Sequence, residues 1–203
     1  MGVLARVDEP DGWMSRAEYR LWAEGRPGRF ERIDGQVVAM APVRVGHARI
    51  KGKAYMALTA AVAAPGLPCE VLVDGPTIEV GESDYEPDVI VRCGSDVVPD
   101  DSLVVPDATI IVEVLSPTTR RTDVSQKLAD YFQVPSVKHY LILFADHIQA
   151  IHHRRVDDRI ETRVLTDGDV TLDPPGLTVS LAGFYEAGGA GHHTATPLNG
   201  GFR

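Results

Sequence analysis

Two short apolar runs in the middle of the chain each carry one carboxylate. Asp88 opens the run Asp88–Val91, and Glu113 interrupts Ile110–Leu115. Val- and Ile-rich runs of this length, bounded by Pro, Gly and Asp, predict buried strands. An ionised carboxylate in such a strand is costly to desolvate unless a cation or hydrogen bonds compensate it. Two of them, followed by Lys127 on a predicted helix, point to a metal site with an accompanying ammonium. Each residue also has a plainer reading. Asp88 after Pro87 can cap a turn, and Glu113 can pair with a buried arginine. Asp123 and Lys127, four residues apart, can form a surface ion pair on one helix.

The elements that would hold these groups follow from punctuation and period. Ser15 with Glu18 three residues on is a capping-box pattern, predicting a helix to about Glu24 that stops at Gly25 and Pro27. Phe30–Ile33 and Gln36–Met40 flank Asp34-Gly35, a hairpin signal because a type I′ turn needs positive φ at both central positions. Val45–Ala64 predicts a long helix ended by Pro65-Gly66. Ile50, Ala54, Ala57, Leu58 and Ala61 form its apolar stripe, and Arg44, His47, Lys51 and Tyr55 a neighbouring one. Strands are expected near Glu70–Val73 and Thr77–Val80. Thr122-Asp123 starts the helix of Lys127, which stops before Pro135. Lys138–Phe144, Ile148–His153 and Ile160–Leu165 read as an antiparallel meander. A last short strand follows in Leu172–Leu181, with a helical turn near Tyr185. Residues 1–14 read as a lead-in, 15–186 as one domain, and 187–203, without hydrophobic period, as a disordered tail.

Composition sets the outer limits. The chain has 203 residues and a net charge of −9, with 44% hydrophobic and 24% charged residues. That is one domain with a substantial core, and its balance argues against a basic nucleic-acid coat protein. Charge is segregated, however. Ala41–Cys69 contains no acid and carries Arg44, Arg49, Lys51 and Lys53. No run approaches the ~20 apolar residues of a membrane span. The first residues lack the apolar core of a secretory signal, so a cytoplasmic location is expected. Cys69 and Cys93 form no metal-ligand spacing and read as small buried hydrophobes in a reducing compartment. P-loop, GxSxG, GxGxxG and zinc motifs are absent from the sequence.

The segments FERIDGQVVAMAPVRVGHARIKG, YEPDVIVRCG, TIIVEVLSPTTRRTDVSQKLADYF and VKHYLIL resemble the Uma-two (Uma2) family of bacterial restriction-endonuclease-like proteins. The resemblance runs from about Ser15 to Tyr185. It implies a branch of the PD-(D/E)XK nuclease superfamily: an α/β (α+β) fold with a restriction-endonuclease-like core, a mixed β-sheet flanked by helices, with the antiparallel meander added. It implies Mg²⁺- or Mn²⁺-dependent hydrolysis of phosphodiester bonds, with DNA a likelier substrate than RNA, and a homodimer. Pro87-Asp88 stands at the superfamily's Pro-Asp pair and Glu113 at its second acid. The position that should hold lysine is Leu115, on the same strand face as Glu113; in this family the lysine moves to the following helix, where Lys127 stands. Glu31 matches a further acid and His47 a polar position on the long helix.

Phosphodiester hydrolysis develops negative charge at phosphorus and needs an activated water. Mg²⁺ takes hard oxygen ligands, here Asp88, Glu113 and the carbonyl of Val114. Lys127 would position or deprotonate the water or balance charge at the phosphate. Glu31 would hold a second metal or a water. Arg49, Lys51 and Lys53 are candidates to hold the nucleic-acid backbone, with Arg120 and Arg121 close enough to touch phosphate. The alternative is a catalytically silent module that keeps the fold to bind nucleic acid or protein. The missing lysine after Glu113 and the acidic net charge motivate it.

Overall fold

The computed structural model describes residues 12–115 and 124–186. Helix α1 spans Arg16–Ala23, α2 Val45–Ala63 and α3 Val124–Tyr131. The strands are β1 Phe30–Ile33, β2 Gln36–Ala39, β3 Cys69–Val73, β4 Ile78–Val80, β5 Ser83–Tyr85, β6 Val89–Cys93 and β7 Ala108–Leu115. They continue as β8 His139–Phe144, β9 Ala150–Val156, β10 Arg159–Leu165, β11 Asp169–Leu172 and β12 Leu177–Ser180, and a 3₁₀ turn closes at Leu181–Phe184. A six-stranded sheet runs β10-β9-β8-β7-β6-β3, a four-stranded one β2-β1-β5-β4, and β11-β12 form a hairpin. In the large sheet β7 and β8 are parallel and every other pair is antiparallel. The expected mixed sheet flanked by helices is therefore present. The meander is β8-β9-β10.

Period-two alternation divides the large sheet between two cores. Val89, Val91, Ile110, Val112, Val114, Leu141 and Leu143 pack on α2 through Ile50, Ala54, Leu58 and Val62, and on β11-β12. The opposite face, Ile90, Ile111, Tyr140 and Ile142, packs on Tyr131 and Phe132 and on Ile78, Val80 and Tyr85 of the small sheet. Glu113 follows Ile111 by two residues and so belongs to this second face, toward α3.

Local signals carry over closely. Ser15 and Glu18 form the reciprocal capping box of α1. Asp34 and Gly35 both have positive φ, 50° and 78°, as a type I′ turn requires. Three features differ from the expectations. Asp88 immediately precedes β6 rather than lying inside it. The strand expected near Thr77–Val80 is β4, and it pairs in the small sheet with β5, a three-residue strand that has no counterpart among the expectations. Ser-Asp-Tyr has no apolar run to announce it. Cys69 and Cys93 face each other across β3 and β6 and are joined by a disulfide, against their reading as separate reduced residues. Their separation of 24 residues has no motif, and only strand register brings them together.

Arg32 anchors the small sheet. Its side chain is 0% exposed and donates to Asp84 Oδ2 at 2.6 Å, to Glu82 Oε2 at 3.0 Å and to the Met14 carbonyl at 3.0 Å. A buried guanidinium is tolerated when carboxylates and carbonyls surround it. Its neighbour Glu31 points the other way along β1. Among the described residues no helix is long and apolar enough to cross a membrane.

Leu58, wholly buried on α2, and Leu21, exposed on α1, make a contrasting pair. Leu58→Ala is expected to lower the unfolding free energy by about 2–5 kcal/mol, and Leu21→Ala to change it by under about 0.5 kcal/mol. Urea unfolding of the two variants measures both.

Candidate active site

A cleft of about 670 Å³ opens at the end of the large sheet where β7 finishes and β6 begins. Its floor includes Asp88, Glu113 and Val114; one wall is the start of α2 with Arg44, His47 and Lys51. The opposite side is α3 with Gln126 and Lys127, and β1-β2 with the segment to Val43 forms the lip.

Asp88 is held from two directions. Its Oδ2 accepts the Val114 N–H at 2.7 Å; the β6–β7 register, continued beyond Val89↔Val112, sets Asp88 opposite Glu113, beside that amide. Its Oδ1 lies 3.1 Å from His47 Nε2 and 2.7 Å from Lys51 Nζ. His47 and Lys51 are four residues apart on α2, one turn on the same face. Lys51 also donates to Asp74 Oδ1 at 3.3 Å. Burial pushes the Asp88 carboxyl up, but the hydrogen bond and charge of His47 and the charge of Lys51 outweigh it and hold it below its ordinary value.

Glu113 lies in a second cluster. Lys127 Nζ donates to Glu113 Oε1 at 3.1 Å and to Glu31 Oε1 at 2.9 Å. The Tyr131 hydroxyl donates to Glu113 Oε1 at 2.9 Å, and Glu31 Oε1 also accepts the Glu86 N–H at 2.9 Å. Lys127 stands 5.3 Å over the Tyr85 ring. Burial raises the Glu113 carboxyl to about 7; the Lys127 charge opposes the rise, and the charges of Asp88 and Glu31 add to it. Burial also lifts the Tyr131 phenol well above its usual range, so it remains a donor.

The cleft thus gathers Asp88, Glu113, Val114, Lys127, Glu31, His47 and Lys51. Lys51, expected on a nucleic-acid backbone, is buried against Asp88 instead. Arg49 is exposed on α2, and Lys53 donates to the Tyr185 carbonyl; neither lines the cleft. Arg120, Arg121 and Asp123 lie outside the described residues. Lys127 itself is buried and turned to two acids from different sheets. Tyr131 is not among the residues the sequence points to, although it stands one helical turn after Lys127; that spacing was the available signal.

The donors at this floor are hard oxygens, which suit Mg²⁺ or Mn²⁺ held with several waters. Among the described residues no three His, Cys, Asp or Glu side chains form a preassembled cation cage. The burial that raises Glu113 is the condition a bound cation would relieve.

A sequence model described as "Uma2: Putative restriction endonuclease" matches residues 16–182. The chain belongs to the Uma2 family. Two Synechocystis sp. proteins are similar to this Uma2 chain. One, sll1609, is 26% identical over 149 residues, covering 72% of this chain and 83% of the relative. The other, slr1290, is 29% identical over 159 residues, covering 71% and 76%. Among solved structures, a "putative nuclease belonging to DUF820" from Anabaena variabilis superposes with a TM-score of 0.68 at 16% identity, covering 85% of this chain and 97% of that one. At that identity the likeness establishes the shared fold.

Glu113 ties stability to pH. Unfolded, it ionises near its ordinary value of 4.5; folded, it keeps its proton to about 7. Between these values the native state binds the extra proton, so this group's contribution falls as pH rises through the window. Glu113→Gln removes that fall. Relative to the unsubstituted protein, the variant is expected to gain on the order of 3 kcal/mol in unfolding free energy between pH 4.5 and pH 8. Urea titrations at the two pH values measure it.

Proposed function

We propose that this Uma2 protein is a metal-dependent endonuclease that hydrolyses phosphodiester bonds of DNA. The observation that supports it most is the convergence of Asp88, Glu113 and Lys127 on one cleft, from the residue before β6, from β7 and from α3. Asp88, Glu113 and the Val114 carbonyl would hold Mg²⁺ or Mn²⁺. The ion would supply Lewis-acid stabilisation of the phosphoryl oxygens and a water of lowered pKa.

The chain's own groups divide the remaining work. Lys127, fixed by Glu31 and Glu113, orients the attacking water and offsets charge as it grows at phosphorus. Tyr131 keeps Glu113 Oε1 in place and thereby fixes the direction of the rest of that carboxylate. Glu31 sets the ammonium's position from the other sheet. His47, beside Asp88 at the cleft wall, would carry a proton to or from the leaving oxygen. Among the described residues, Arg44 at the mouth is a cleft-lining cation that would meet a phosphate further along the strand.

The second reading is a silent module that binds nucleic acid or protein through the same cleft. Lys51 favours it: its ammonium already neutralises Asp88 at 2.7 Å, where a catalytic cation would compete with it.

Incubation with plasmid and with short oligonucleotides, in Mg²⁺ or Mn²⁺, separates the two. The nuclease reading expects cleavage that EDTA abolishes and that Asp88→Asn and Glu113→Gln remove. Lys127→Ala is expected to lower the rate about 10²–10⁴-fold, with DNA binding retained. Binding without cleavage across the metal series would instead support the silent module.

A further inference from the structure

Strand β10 is the outermost strand of the large sheet, and no described residue pairs with its outer edge. It is seven residues long and exposed along nearly its whole length. Long, regular open edges are pairing templates, and proteins normally blunt them with charged side chains, Pro or a bulge. β10 has neither Pro nor bulge, and its three charged residues, Arg159, Glu161 and Arg163, are of both signs, so they can complement a second copy of the same strand. Its sequence, Arg159-Ile-Glu-Thr-Arg-Val-Leu165, is paired residue for residue with β9 without a register shift. Its charges alternate in sign along one face, and Ile160 and Val164, 41% and 60% exposed, lie on the other beside Thr162.

We propose that β10 pairs antiparallel with β10 of a second copy of this chain, about a two-fold axis at Thr162, joining the two six-stranded sheets into one.

The register follows from charge and parity. A two-fold perpendicular to a continuous sheet keeps each face on its own side, so partners must be an even number of residues apart. A centre at Glu161 would set Glu161 against itself and Arg159 against Arg163. A centre at Arg163 would set Arg163 against itself. Like charges directly opposite are destabilising. Centring on Thr162 pairs all seven residues and sets Glu161 opposite Arg163 of the second copy, twice. On the other face it sets Ile160 opposite Val164 of the second copy, twice, covering the two exposed apolar side chains. Asp157 would then meet Asp167, and this repulsion stops the pairing at the strand ends. The competing contact within one chain, Arg159 to Glu161, is 3.5 Å and exposed on both sides, so it is weak. Thr162 Oγ1 is engaged by His153 at 2.8 Å, which fixes the central residue inward and leaves the outer backbone edge to the partner. A single ladder with two ion pairs and two apolar pairs supports dissociation on the order of micromolar. This inference stands apart from the nuclease reading, since β10 is remote from the cleft in sheet order.

Sedimentation velocity over about 1–500 µM, a span set around that estimate, tests the proposal on the full chain. The expected result is a concentration-dependent dimer. Glu161→Arg and Arg163→Glu should each weaken it tenfold or more. An equimolar mixture of the two variants should recover the dimer, because each then presents the charges the other lacks. The double variant Glu161→Arg/Arg163→Glu should recover it alone. Circular dichroism checks that the exposed substitutions leave the fold intact. A chain that remains monomeric throughout, a dimer indifferent to either reversal, or a mixture that does not reassociate would each overturn the proposal.

Discussion

One ammonium holds the molecule's centre together. Lys127 enters from α3 and is shared by Glu31 of the small sheet and Glu113 of the large one. Both acids are buried, where an unpaired charge costs several kcal/mol. The shared ammonium therefore ties the two sheets together at the position of these carboxylates. On the far side of the same floor, Lys51 and His47 do the corresponding work for Asp88 from α2. Acids on strands or at a strand's start and cations on helices face one another across the cleft, and the rest of the fold sets those distances.

The two acids differ in charge state for reasons visible in their neighbours. Asp88 meets two basic side chains and a backbone N–H, and its carboxyl is held low. Glu113, buried as well, shares Lys127 with Glu31 and feels the charges of Asp88 and Glu31, so burial holds it high. The pair thus offers one oxygen donor whose ionised form is favoured and one whose charge is set close to neutral pH. A site that works on a charged substrate gains from such a division, because the total negative charge at the floor is limited until something positive arrives.

Much of this was legible in the sequence because it is local. The capping box at Ser15 and Glu18, the Asp34-Gly35 turn, the stop at Pro65-Gly66 and the apolar periods of β6 and β7 are decided by neighbours a few residues away. Asp88, Glu113 and Lys127 stood out because charged residues bordering or following apolar runs need an explanation. What stayed hidden depends on contacts between distant segments. Lys51 looked like a solvent-facing cation until the packing of α2 turned it toward Asp88. Tyr131 gave no sign beyond its spacing from Lys127. β5 has no apolar run and exists because β1 and β4 flank its three residues. The pairing of Cys69 with Cys93 is a product of register between strands that sequence period alone cannot align.

The disulfide sits at one end of the β3–β6 pair, and at the other end the Asp74 N–H bonds to the Asp88 carbonyl at 3.3 Å. Residues 75–87 leave the large sheet at this neck, build β4 and β5, and return. The excursion is thus clamped on both sides of its stem, like a loop of cord drawn through a buckle. The stem sets the return point, so Asp88 comes back opposite Glu113. The residues between line no part of the cleft and instead carry Ile78, Val80 and Tyr85 into the core beneath it, so one clamp serves both the floor of the cleft and its support.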